Sequence, residues 1–306
     1  MTLPELNWHG MTLPQLVLGT VQLGLPYGVA NVSGQPSFDE AQTMITCALE
    51  SGLTWFDTAQ SYGDSEAVLG ASFLSSKIQP TVITKLHPDL DPTDSKAVFE
   101  SIRLSCQILN QPTIFAVLLH RAEALAFWDK GLGEGLLRAK DAGLVQLLGV
   151  SVYEPDELKA VTEHPHMAVA QLPFNAWDNR FLTTHALTEA QNNGVLCFAR
   201  SIFLQGLLLM PPAAIESRVP GSLPIATAWE GLCVSLNLNP EQVAIRYAKA
   251  FGLPLVLGVE RLGQLQNNLS LILEPAFDIQ TVQHIAKTLH PFSKKEIVNP
   301  SLWPVS

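Results

Sequence analysis

The chain has 306 residues, of which 47% are hydrophobic and 15% charged, and a formal net charge of −10. That balance supplies apolar side chains for a core covering both faces of a sheet and excludes a disordered chain. No basic run occurs, so nucleic acid and anionic membrane surfaces, which are held by clustered lysine and arginine, are excluded as partners in favour of a small molecule.

The opening stretch MTLPELNWHGMTLPQ has no basic start, apolar run and small-residue cleavage site, so a cytoplasmic protein is expected. Short apolar runs then recur: Leu16–Thr20, Leu53–Thr58, Thr81–Lys85, Phe115–His120, Leu147–Ser151, Ala168–Pro173, Val195–Ser201 and Leu253–Val259 each read as a strand buried on both faces. Between them lie helices with recognisable starts. Ser37 precedes FDEAQTMITCALESG with Glu40 at capping-box spacing and Gly52 at the end; Asp94 precedes SKAVFESIRLSCQIL; Pro155 and Pro240 open two more.

Eight such units imply a single closed (β/α)8 barrel of parallel strands over residues 1–306, with PELNWHG covering its bottom; a doubly wound open sheet is the competing arrangement. The longest apolar stretch, FLQGLLLMPPAAI, is broken by Gln, Gly and Pro before the ~20 residues of a bilayer helix, so no membrane span is expected. Cys47, Cys106, Cys197 and Cys233 lack paired spacing and read as reduced, buried thiols.

In such a barrel, chemistry sits where strands end. Lys85 ends an apolar run, and an unpaired buried ammonium costs several kcal/mol, so it needs an anion. Asp57, ending the neighbouring strand, is the natural one. A lysine beside a phenol lowers the phenol pKa, which would make Tyr62 a usable proton donor, with His120 orienting a carbonyl. Singly, each residue has a plainer reading: Asp57 as a cap, Tyr62 as a loop aromatic, Lys85 as an edge residue, His120 as a core histidine. Jointly, four strand-end coincidences favour carbonyl reduction.

These residues, in FDTAQSYGDSEAVLG, VITKLH and LLHRAE, resemble the tetrad of the aldo-keto reductase superfamily in order and spacing, and the resemblance runs from LGT near residue 18 to QLQNN near residue 268. It implies a (β/α)8 barrel and metal-free, NADPH-dependent reduction of an aldehyde or ketone. Tyr62 would be the general acid, with Lys85, Asp57 and His120 assisting. It also implies cofactor contacts at Gly19, Thr20, Asp57, Ser151, Gln171, Ser201, Leu204, Gly206, Gly258, Arg261, Gln264 and Asn268. The chain departs from the common pattern at Val152, where many members carry an asparagine that binds the nicotinamide carboxamide.

Arg261 suits the 2′-phosphate of NADPH, with Glu260 facing solvent; an inward Glu260 would favour NADH instead. The glycine-rich GLGEGL at Gly131 follows no strand and is not a dinucleotide fingerprint. Tyr27, His87, Trp177 and Phe203 are expected to line the substrate mouth, which suits a small or sugar-like carbonyl compound. Alternatives using the same residues are an NAD(P)+-dependent sugar or alcohol dehydrogenase and a cofactor-binding regulatory subunit with little turnover. A Schiff-base aldolase with Lys85 as nucleophile leaves Tyr62 unexplained. A monomer or weak homo-oligomer is expected.

Overall fold

A computed structural model of the protein describes residues 2–303. The chain begins with a hairpin, β1 (Glu5–Trp8) and β2 (Met11–Pro14), whose two-residue turn places His9 and Gly10 at positive φ, 47° and 83°. That geometry matches the right-handed twist of the flanking strands.

Eight parallel strands follow and close on themselves: β3 (Leu16–Gly19), β4 (Trp55–Asp57), β5 (Thr81–Lys85), β6 (Ile114–Leu119), β7 (Val145–Ser151), β8 (Val169–Pro173), β9 (Leu196–Arg200) and β10 (Leu255–Gly258). All eight apolar runs of the sequence are barrel strands, and β10 returns to pair with β3, so the sheet is closed rather than open. Strand residues alternate between two cores. Val17, Ile83, Val169, Phe198 and Val256 fill the barrel, whereas Leu16, Leu18, Val82, Ala170 and Cys197 pack outward against the helices. Burial on both faces explains why the strands read as continuous apolar runs.

The hairpin plugs the end where the strands begin. Leu13 joins the interior cluster, Leu6 and Trp8 pack against it, and Trp8 Nε1 donates to the carbonyl of Gly194 at 3.1 Å. The expected helix starts are present. Ser37 and Glu40 form a reciprocal capping box on Phe38–Glu50, Asp94 caps Ser95–Ile108, and proline opens both Pro155–Glu163 and Pro240–Lys249. GLGEGL enters the helix Leu132–Asp141, with Gly133 and Gly135 packed tightly against Trp128 and Val98, so these glycines serve helix packing. Cys106, Cys197 and Cys233 are buried, and burial pushes their thiols up, to about 11 for Cys106 and Cys233. No helix of the described residues is long and apolar enough to cross a membrane.

Candidate active site

Parallel register sets the strand ends level with one another. Gly258 pairs with Gly19, Gly19 with Asp57, Ser151 with Gln171, and Pro173 with Arg200. Beyond these ends opens a cavity of about 340 Å³.

At its floor, Lys85 Nζ contacts both carboxylate oxygens of Asp57 at 2.8 Å and donates to the Thr58 carbonyl at 2.9 Å; Gln171 Nε2 donates to Asp57 Oδ1 at 2.7 Å. A buried ion pair is tolerable only when such added hydrogen bonds satisfy it. Burial pulls the lysine pKa down, and Asp57 opposes that shift.

Tyr62 lies on the loop after β4, its ring 4.9 Å from Lys85 Nζ and edge-on to His120 at 5.8 Å. Two glycines seat it. A Cβ on Gly24 would lie 1.8 Å from the Tyr62 carbonyl oxygen, and Gly63, at φ 53°, leaves room for only 2.2 Å to the Gly24 carbonyl. Beneath the loop, Thr20, Thr58 and Ser65 exchange buried hydroxyl hydrogen bonds of 2.8–3.0 Å that tie β3 and β4 to the helix Ser65–Leu74.

The expectation that Lys85 lowers the Tyr62 pKa is corrected. Burial and then Asp57 push the phenol well up, because the ammonium is committed to Asp57 and Thr58 and makes no hydrogen bond to the hydroxyl; the charge that opposes the rise belongs to Arg200. Tyr62 is therefore held protonated. His120 is driven down to about 3, by burial first and then by Lys85 and Arg200, so its ring is neutral at physiological pH. Ser61 Oγ and His120 Nδ1 share a hydrogen bond of 3.2 Å whose direction follows the tautomer; a serine that donates leaves the ring proton on Nε2.

Of the residues read from sequence, Gly19, Thr20, Asp57, Tyr62, His120, Ser151, Gln171, Ser201, Gly206, Gly258, Arg261, Gln264, Asn268, Tyr27 and Phe203 line the cavity, and Lys85 lies behind Asp57. Three do not. Trp177 is fully buried, its backbone turned inward by hydrogen bonds from its amide to Asn175 Oδ1 and from Ser293 Oγ to its carbonyl. His87 points outward, its Nδ1 accepting from the Asp89 amide at 3.2 Å. The Leu204 side chain packs in the core, and only its backbone, at φ 48°, shapes the loop.

Glu260 is also corrected: it lines the cavity beside Gly28 rather than facing solvent, and burial pushes its carboxyl up. Its amide donates to Gln264 Oε1 at 2.7 Å.

Sequence reading missed Arg200, Tyr153 and Gln22. Arg200 was detectable by the argument applied to Lys85, since it too ends an apolar strand.

The residues fit a dinucleotide. Gln171 Oε1 and Gln22 Oε1 are buried in the cavity wall without a hydrogen-bond partner, acceptors suited to an amide or ribose donor, and Arg261 opens the helix Leu262–Leu271 with its N-terminus at the cavity. Among the described residues, no cluster of three or more His, Cys, Asp or Glu side chains is placed to hold a metal.

Residues 15–290 match the family model described as the aldo/keto reductase family. The chain belongs to that family. An aldo-keto reductase of Mycolicibacterium paratuberculosis is 33% identical over 234 residues, covering 72% of this chain and 78% of the relative. The aldo-keto reductase of Bacillus halodurans, in its holo form, superimposes with a TM-score of 0.78 at 17% identity, covering 98% and 100% of the two chains. A Bombyx mori aldo-keto reductase in complex with NADP gives 0.69 at 20% identity, over 94% and 93%. As an aldo-keto reductase, the protein is an NAD(P)H-dependent oxidoreductase whose general chemistry is carbonyl reduction. Asp57 ends β4, Lys85 ends β5, Tyr62 lies on the loop after β4, and His120 directly follows β6.

Proposed function

We propose that the protein uses NADPH to reduce a small or sugar-like aldehyde or ketone in this cavity, with Tyr62 as proton donor. The observation that carries this is the clustering of a protonated phenol and a neutral imidazole over a fully satisfied Lys85–Asp57 pair. A bound reduced nicotinamide supplies the hydride. His120 Nε2 and the Tyr62 hydroxyl both present protons to one carbonyl oxygen; they polarise it and fix its orientation. As negative charge develops on that oxygen, Tyr62 gives up its proton, and Lys85, by pairing with Asp57, offsets the carboxylate that opposes the phenolate.

Gln171 is held by Asp57 so that its free oxygen faces the cavity, where it can orient the carboxamide of the cofactor together with Ser151. Arg261 supplies a fork of donors for the 2′-phosphate. The inward Glu260 supports a second reading, in which its carboxylate accepts from the ribose hydroxyls of NADH.

Quenching of the six tryptophans on titration with each cofactor decides between them. NADPH should bind about tenfold more tightly or better, and Arg261→Ala should remove most of that preference, since a charged bidentate contact contributes roughly 1.5–3 kcal/mol. Preference for NADH that falls in Glu260→Gln would establish the second reading. Binding of neither would overturn both.

A further inference from the structure

Arg200 is a cation in the cavity wall for which no role has yet been given. It ends β9 and is partly buried. Its guanidinium lies 4.2 Å from the centroid of the Tyr153 ring, with Nη2 donating to the Val152 carbonyl at 3.2 Å and Nη1 to Ser201 Oγ at 3.3 Å. These contacts fix the plane of the group without neutralising it, and among the described residues no carboxylate forms an ion pair with it. The other charges near the floor cancel, because Lys85 is matched by Asp57, His120 is neutral, and Tyr27, Tyr62 and Tyr153 are phenols. Glu241 accepts from Asn267 Nδ2 at 3.0 Å, and the Glu260 carboxylate stands beside Gly28 in the cavity wall without forming an ion pair with Arg200. The catalytic end of the cavity therefore carries one uncompensated positive charge.

A ring that passes a hydride to a carbonyl held by Tyr62 and His120 must lie within roughly 3–3.5 Å of that carbonyl. It then shares the mouth with Arg200, on the wall where Ser151 and Gln171 stand.

We propose that Arg200 makes this pocket discriminate by charge between the two redox forms of its cofactor, favouring the neutral reduced nicotinamide over the cationic oxidised one. The inference rests on the cofactor reading above. The overall equilibrium between substrate and product is unchanged by any residue, but the pocket loads the reduced form and releases the oxidised form readily. In exchange, the bound couple becomes a weaker hydride donor by the same factor, about 30 mV per tenfold for a two-electron couple. Turnover in the reductive direction gains where release of the oxidised cofactor limits it. Capture of the oxidised form for the reverse reaction is disfavoured, which bears on the dehydrogenase alternative. Val152 adds to the case. It is buried and its carbonyl anchors the guanidinium, so beside Ser151 at this strand end the side-chain donor is the charged group of Arg200.

The test is the ratio Kd(NADP+)/Kd(NADPH), measured by tryptophan quenching at low and at physiological ionic strength on wild type, Arg200→Gln and Arg200→Lys. Two unit charges several ångströms apart at an intermediate effective dielectric interact enough to change a dissociation constant about tenfold. The wild-type ratio should therefore be about ten or more, should fall by roughly tenfold in Arg200→Gln, and should be largely kept in Arg200→Lys. A wild type that binds both forms equally overturns the proposal without any variant. Equal weakening of both forms in Arg200→Gln also overturns it, because the arginine would then serve a part common to both, such as the pyrophosphate. Loss of the ratio in Arg200→Lys would show that the fork and not the charge matters, and would overturn it too. Failure of wild type to bind either form is a different result, which removes the cofactor reading itself.

Discussion

The Lys85–Asp57 pair shows how one residue makes another necessary. Each charge is buried almost completely and tolerable only because the other is present. Lys85→Met should abolish reduction and, by leaving Asp57 buried and unmatched, should destabilise the protein by about 3–5 kcal/mol. Denaturant unfolding read against activity checks both, and an active, fully stable variant would remove the pair from the account. His120 makes a prediction about pH. Its folded pKa of about 3 lies below the ordinary 6.5, so between those values the unfolded chain binds the extra proton and stability falls as the solution is acidified. His120→Gln should flatten that part of the stability curve, seen as Tm against pH. Because Tyr62 and His120 both hold their protonation state across the neutral range, the rate of the hydride step should be nearly flat from about pH 6 to about pH 8. A steep change there would mean that another group is the acid. The pairing of Asp57 with Lys85 was legible because a lysine ending an apolar run demands an anion. The phenol pKa was not, because its sign depends on whether the ammonium is already committed, which only the three contacts of Nζ reveal.

At the scale of elements, the phenol of Tyr62 is placed by backbone contact. Helix entry at Ser65, the Thr20–Thr58–Ser65 hydroxyl network and the close approach of Gly24 to the Tyr62 carbonyl together fix the loop after β4. Gly24→Ala should displace that loop. A misplacement of about 1 Å is worth roughly 10²-fold in rate, so kcat should drop by that order while circular dichroism shows the barrel intact; unchanged kcat would mean that the loop yields freely. The eight strands could be read from sequence because burial on both faces leaves an unbroken apolar signature. His87 and Trp177 show where this legibility ends. Both follow strand ends closely, as functional residues do, but the direction of a loop side chain is set by the turn it sits in, here through hydrogen bonds from the Trp177 amide to Asn175 Oδ1 and from the Asp89 amide to His87 Nδ1. Ser201, Leu204, Gln205 and Gly206 all take positive φ in the loop after β9, a conformation that nothing in FARSIFLQGLL announces except its glycine.

For the whole molecule, the barrel separates stability from chemistry by placing them at opposite ends of the same strands. The hairpin closes one end through Leu6, Trp8 and Leu13, and the cavity occupies the other. Trp8→Ala should lower stability by roughly 1–3 kcal/mol, because the side chain is only partly buried, and should leave cofactor affinity unchanged. A shift in affinity would show that the two ends communicate. The closure itself was inferred from counting eight units, and the return of β10 to β3 makes Gly258, Gly19 and Asp57 neighbours although they lie far apart in the chain. The account as a whole turns on Tyr62 as proton donor in a cofactor-loaded cavity. Its most direct test is a single-turnover measurement of NADPH oxidation by a reactive small aldehyde, with wild type and Tyr62→Phe each shown beforehand to be saturated with NADPH. The wild type should oxidise its bound cofactor, and Tyr62→Phe should do so at least about 10²-fold more slowly at the same occupancy. Equal rates, or a wild type that binds NADPH and leaves it unoxidised across a panel of aldehydes and ketones, would contradict it.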